Sequence, residues 1–145
     1  MPCFEPHAAV IEDGRSYSKS FSARFDCATA VTAGTRSRRV GLTPGQRQKL
    51  ASLVSYRAGS VVSRTVIDSG AGTVTVFAFD EGDGLSEHAV PYDALLYVLE
   101  GEALVTVAGH ANRMEAGDVI ILPARRPHAV SATKKFKMLL VMLRH

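Results

Sequence analysis

The sequence predicts an all-β domain, an antiparallel sandwich or barrel. Short runs rich in β-branched and aromatic residues succeed one another from "SVVSRTVID" (Ser60–Asp68) to "FKMLLVML" (Phe136–Leu143). Gly, Pro and Asp punctuate these runs, and no helix-length periodic stretch comes between them. Strands at this spacing without intervening helices pair as antiparallel layers rather than as a crossover-connected parallel sheet.

A chain of 145 residues fits one compact domain with a single core. The composition changes near Gly41. Residues 1–42 are mostly small and polar without clear periodicity and read as a loosely packed or disordered leader; residues 43–145 read as the domain. The domain opens with "LTPGQRQKLASLVSY", where Thr43 suits a helix N-cap and Pro44 the first helical position, so one short helix is expected there. "SVVSRTVID" and "GTVTVFAFD" then form a hairpin around Ser69-Gly70-Ala71-Gly72. "GDGLSEHAVPYDALLYVLEGE" (Gly82–Glu102) reads as strand, turn and strand, followed by "ALVTVAG", "DVIILP", "HAVSA" and "FKMLLVML". Phe136, Met138, Leu140 and Met142 share one strand face, a stripe expected in the core.

Composition narrows the function classes. The hydrophobic share of 46% and charged share of 21% are those of an ordinary globular protein. The longest apolar run, "MLLVML", is far short of the roughly 20 residues needed to span a bilayer, so no membrane partner is expected. "MPCFEPHAAVIEDG" lacks the basic start, apolar stretch and cleavage site of a secretory signal, and the Ser- and Arg-rich stretch after it only faintly resembles a transit peptide; the expected location is cytoplasmic. A net charge of +3, concentrated around Arg36–Arg39 and Lys134–Lys137, lacks the basic stripe with stacking aromatics that nucleic-acid binding requires. Cys3 and Cys27 both lie in the leader, too few for a zinc knuckle and read as reduced thiols.

Two spaced motifs carry the chemistry. Gly82, His88 and Gly101 form the frame of the first, and Gly117, Pro123 and His128 that of the second. In this spacing the chain resembles the cupins, small double-stranded β-helix barrels of jelly-roll type, over roughly residues 58 to 145. The resemblance implies a histidine- and glutamate-lined metal site. Here, however, Val90 stands where the first motif has its second His, Ala94 where it has Glu, Arg125 where the second motif has Gly, and Ala132 where it has Asn. Small single-domain cupins of this kind generally have no assigned activity. A homodimer is also implied, in keeping with strands such as "ALLYVLEG" and "MLLVML" whose two faces are both apolar.

His88 and His128 are therefore the candidate ligand-binding and metal-binding residues, with Tyr92 as a further candidate for the ligand. Non-haem iron favours two histidines and a carboxylate, and catalytic zinc three protein ligands. Strand alternation puts Val90, Tyr92 and Ala94 on the face of His88, with Glu87 and Asp93 on the other. Only a bulge at Pro91 would turn Asp93 inward to complete a set. The expected function is binding of a small polar or anionic molecule, with a divalent metal (Fe, Mn, Ni or Zn) at most weakly held by His88 and His128. Arg125 and Arg126 at the mouth could attract a carboxylate. The competing expectations are a metal-dependent enzyme of dioxygenase, isomerase or decarboxylase type, a metal-free enzyme using a histidine as acid–base group, and two structural histidines bonded to each other or to water.

Overall fold

The computed structural model describes residues 42–144 and, for the backbone alone, residues 9–12 and 15–17. Two sheets face one another. The larger is ordered β2 (Arg15–Tyr17), β1 (Ala9–Glu12), β3 (Ser60–Ser69), β4 (Gly72–Phe79), β11 (Phe136–Leu143), β6 (Asp93–Glu100) and β9 (Val119–Leu122). The smaller is ordered β5 (Gly84–His88), β10 (His128–Ala132), β7 (Glu102–Val107) and β8 (His110–Glu115). Every pairing is antiparallel except that of β1 with β3, so the expected all-β barrel architecture is present.

The expected short helix does not start at Thr43. Gly45 adopts φ +78°, which turns the chain instead of winding it, and the Gln46 amide donates to the Thr43 carbonyl. One 3-10 turn forms later, at Leu50–Leu53. β8 was not expected at all, because "HANRME" is polar; it is an edge strand with Met114 as its buried residue, so burial pattern could not reveal it. β1 and β2 fall in the stretch read as leader, most of which lies outside the described residues.

Alternation explains how the sheets close on each other. Ala94, Leu96 and Val98 of β6, Phe136 and Met138 of β11, and Val105 and Val130 of the smaller sheet meet in one core. Each fully buried side chain of this size contributes about 1.5–3 kcal/mol. Leu140 and Met142 continue the β11 stripe onto the same core, as expected. Aromatic rings stack within this core: Phe79 lies on Phe136 at 4.5 Å and 5°, and Phe77 follows at 5.9 Å from Phe79.

The outer face of the larger sheet is apolar too, which accounts for the two-sided runs. Val76, Ala78 and Val66 pack there under the segment containing Leu50, Leu53, Val54 and Tyr56. A polar clasp holds that segment down. The Tyr56 hydroxyl donates to Glu100 Oε1 at 2.8 Å, and buried Lys137 donates to the Ala51 carbonyl at 2.8 Å while pairing with Glu100 at 3.1 Å. Burial and Glu100 push the Tyr56 phenol well above its ordinary range, and the Tyr56 and Lys137 hydrogen bonds hold Glu100 below the usual carboxylate range. Val119, Ile121 and Leu143 lie beyond this cover and remain exposed.

Candidate functional site

His88 ends β5 and His128 begins β10, and the two are direct cross-strand partners. The pairing register then skips: Leu85 opposes Val130, so three steps on β5 match two on β10. β5 thus carries its extra residue at Ser86–Glu87, before the histidine and not at Pro91. The bulge puts Leu85 and His88 on one face, although three residues apart in a regular strand they would face opposite ways. Leu85 packs on the core, and His88 follows it to the lumen side.

The ring centroids of His88 and His128 lie 4.5 Å apart at 62°, an edge-to-face contact. Each ring is held by a carbonyl two residues back along its own chain. His88 Nδ1 bonds the Ser86 carbonyl at 2.8 Å, and His128 Nδ1 bonds the Arg126 carbonyl at 3.1 Å. A carbonyl only accepts, so both Nδ1 atoms donate, and in the neutral ring both Nε2 atoms carry the lone pair. His128 is buried at 5% exposure, whereas His88 is half-buried. Burial pulls the His128 pKa down; the Arg126 carbonyl opposes that and the neighbouring His88 reinforces it.

The loop that delivers His128 is tied at several points. The Arg125 amide donates to the Val90 carbonyl at 2.7 Å, the Ala124 amide to Asp93 Oδ1 at 2.8 Å, and the Ala108 amide to the Pro127 carbonyl at 2.8 Å. Arg125 achieves this at φ +63°, a left-handed conformation that glycine adopts freely and arginine does not. The side chains of Arg125 and Arg126 are exposed.

Alternation does not run through Pro91. The strand stops at His88, residues 89–92 form an irregular connection between the sheets, and β6 starts at Asp93. Tyr92 is half-buried within that connection, where strand period assigns it no face. Asp93 alternates with the core residues Ala94, Leu96 and Val98, and one of its oxygens receives the Ala124 amide; the condition for turning it inward, a bulge at Pro91, is not met. His110 begins β8 with its side chain exposed.

Chain connections define what else shares the histidine end. His88 is one short connection from Asp93, and Leu122 at the end of β9 is one short loop from His128. Across the larger sheet the register aligns Leu122, Ala94, Met142 and Thr73 in one row. Met142 packs on the barrel core, so Thr73 shares that inner face. The Thr73 hydroxyl is buried and has no hydrogen-bond partner among the described residues. Sequence reasoning passed over it, although Thr73, Thr75, Phe77 and Phe79 alternate along β4 and the face was therefore legible.

Among the described residues, the donors brought together are fewer than a resident catalytic metal uses. Two imidazole Nε2 atoms converge, but among the described residues no group of three or more His, Cys, Asp and Glu side chains is placed to hold an ion. The position that a carboxylate ligand would need is the methyl group of Ala94, buried in the core.

Comparison with known proteins agrees with this architecture. A cupin-domain family model matches residues 75–143. A cupin superfamily protein from Desulfitobacterium hafniense is 30% identical with a TM-score of 0.69, over 72% of this chain and 96% of that one. A conserved protein of unknown function from Streptococcus pyogenes is 29% identical with a TM-score of 0.71, over 77% of this chain and 98% of that one. A cupin 2 conserved barrel domain protein from Leptotrichia buccalis is 37% identical with a TM-score of 0.63, over 65% of this chain and 46% of that one. Comparison with curated protein sequences gives no match. The chain belongs to the cupin superfamily. Within it, the described barrel keeps one histidine in its first motif.

Proposed function

We propose that this cupin binds a small polar molecule at the histidine end of its barrel, with His88 and His128 as the contacting pair. The observation that carries the reading is the locked geometry of that pair: both Nδ1 atoms are committed to backbone carbonyls, so both Nε2 atoms are oriented in advance. Holding rings in one orientation lowers the ordering cost of binding. A core-lined barrel with a few convergent polar groups is the usual form of a small-molecule site.

A metal-dependent enzyme is the second reading. It is favoured by the same Nδ1-to-carbonyl anchoring, which is how metal-bound histidines are commonly oriented. Two nitrogens alone would hold a divalent ion weakly, and Ala94 supplies no third donor.

The test is a titration of isotope-labelled protein with a panel of small anions, cations and neutral polar molecules, followed through the imidazole resonances. The binding reading expects at least one class to shift both His88 and His128, and the response to vanish in His88→Gln and His128→Gln. A panel that leaves both rings unmoved contradicts it.

We also propose a homodimer that covers Val119, Ile121 and Leu143, exposed apolar residues on the outer face and edge of the larger sheet. Ile121→Lys is expected to halve the mass measured by light scattering. A wild-type mass of 15.5 kDa contradicts the proposal.

A further inference from the structure

Resting on the homodimer proposed above, we infer that its two copies pack face to face about a twofold axis running across the strands, along a row of five aliphatic side chains, so that each residue of the row meets its own counterpart. The row is Ile67, Val74, Val141, Leu95 and Ile121, aligned by register across β3, β4, β11, β6 and β9. It lies on the outer face of the larger sheet, because Val74 alternates with Val76 and packs with it in the outer cluster. None of the five is charged, and both ends are open, Ile67 at 52% exposure and Ile121 at 55%. A continuous apolar row of this kind marks an interaction surface, unlike apolar residues scattered singly. A second copy offers a strip of the same length that is equally free of charge.

A wall on one side of the row fixes how that copy can sit. Residues 50–56 cross the same face and are tied to three strands. Arg64 of β3 donates to the Leu53 carbonyl at 3.4 Å, Lys137 of β11 to the Ala51 carbonyl at 2.8 Å, and Tyr56 to Glu100 of β6 at 2.8 Å. The wall packs with Val76 and Ala78, the next outer positions of β4, so it spans four of the five strands. On the other side of the row, β4 and β11 reach only Gly72 and Leu143 before they end. Packed sheets lie about 10 Å apart, too close to hold two such walls one above the other. A twofold axis along the strands keeps both walls at the same end, where they collide. An axis along the row sends the second wall to the opposite end, beside the β3–β4 hairpin, and leaves the strips free to meet. Area favours the same choice. The strip measures about 19 Å across five strands and about 14 Å along them, well short of the roughly 800 Å² that each partner gives to a stable interface. Only the axis along the row adds the flank of each wall against the other copy's hairpin.

Crosslinking tests the arrangement. The full chain with Cys3→Ser and Cys27→Ser receives one new cysteine at a time and a thiol-to-thiol crosslinker reaching about 10 Å, the spacing of packed sheets. Ile67→Cys is expected to convert most of the chain to covalent dimer, and Ile121→Cys likewise. When the two variants are mixed and exchanged, same-site products should form almost exclusively, because the ends of the row are about 19 Å apart. Adding Ile121→Lys to Ile67→Cys should abolish the covalent dimer. A crosslink that survives this change is collisional and overturns the inference. An Ile67-to-Ile121 product, or no covalent dimer from Ile67→Cys in a protein that light scattering shows to be dimeric, overturns it and leaves the homodimer intact. A monomer in light scattering removes the homodimer and this arrangement with it.

Discussion

Asp93 accepts the Ala124 amide through Oδ1 at 2.8 Å, and so fastens the first residue of β6 to the loop that ends at His128. Through this bond the Asp93 carboxylate is part of the frame that holds His128. Asp93→Ala is expected to cost about 1.5–3 kcal/mol, the range for a hydrogen bond to a charged group. Urea unfolding measures the loss, and His128 resonances should broaden as the loop loosens. Unchanged stability and an unchanged His128 signal would contradict this role.

Arg125 offers the opposite effect. It holds φ +63° at the position where the family motif has glycine. Arg125→Gly is expected to stabilise the protein by up to about 1 kcal/mol, because relief of the left-handed conformation outweighs the added freedom of the unfolded chain. The midpoint of urea unfolding should rise with an unchanged slope.

The two glycines that frame the first motif differ in what they guard. Gly82 has φ +86° and open space around its α-carbon, while Gly101 has φ +81° and a Cβ there would run into the Lys135 carbonyl and Phe136. Gly82→Ala is expected to cost about 1–2 kcal/mol from conformation alone. Gly101→Ala adds a backbone clash that cannot relax cheaply, and should lower the unfolding midpoint distinctly more. Equal effects at the two sites would contradict the difference in packing.

Acid sensitivity should arrive in two stages. The His128 pKa is lowered by burial, so on falling pH the unfolded chain takes up this proton first. Its stabilising contribution is complete above the ordinary imidazole value of about 6.5 and is lost as the pH falls from there through the folded value. Asp80, Glu100 and Glu102 are held below the usual carboxylate range, Asp80 chiefly by the Gly59 amide, Glu100 by Tyr56 and Glu102 by Arg113, so their contribution is lost lower still. Asp83, raised by burial and by Asp80, acts in the opposite sense. Melting temperature against pH should therefore fall first in the histidine range, and His128→Gln should remove that first fall while keeping the second.

Much of the fold was legible because its strands obey a period. The β6 and β11 runs, the β3–β4 hairpin and the turn glycines Gly101 and Gly117 all follow from local chemistry, and the structure has them where the sequence puts them. What escaped detection depends on partners distant in sequence. β8 is polar because it lies at an edge, and the helix expected at Thr43 gives way to a turn at Gly45 and a segment clasped by Lys137 and Glu100. At the site, His88 and His128 were found by spacing alone. The bulge in β5 sits at Ser86–Glu87 and not at Pro91, a register effect of pairing with β10 that local sequence does not carry. Thr73 was missed because a threonine in a strand carries no motif; its buried, unpartnered hydroxyl emerges only when β4 is packed.

The central claim is that His88 and His128 form a hydrogen-bonding pair and not a resident metal centre. Elemental analysis of protein purified without chelators, alongside His88→Ala and His128→Ala, tests it most directly. The account predicts Fe, Mn, Ni and Zn well below one equivalent in the wild type, with no systematic loss in the variants. One equivalent of a single metal that disappears in both variants would contradict it.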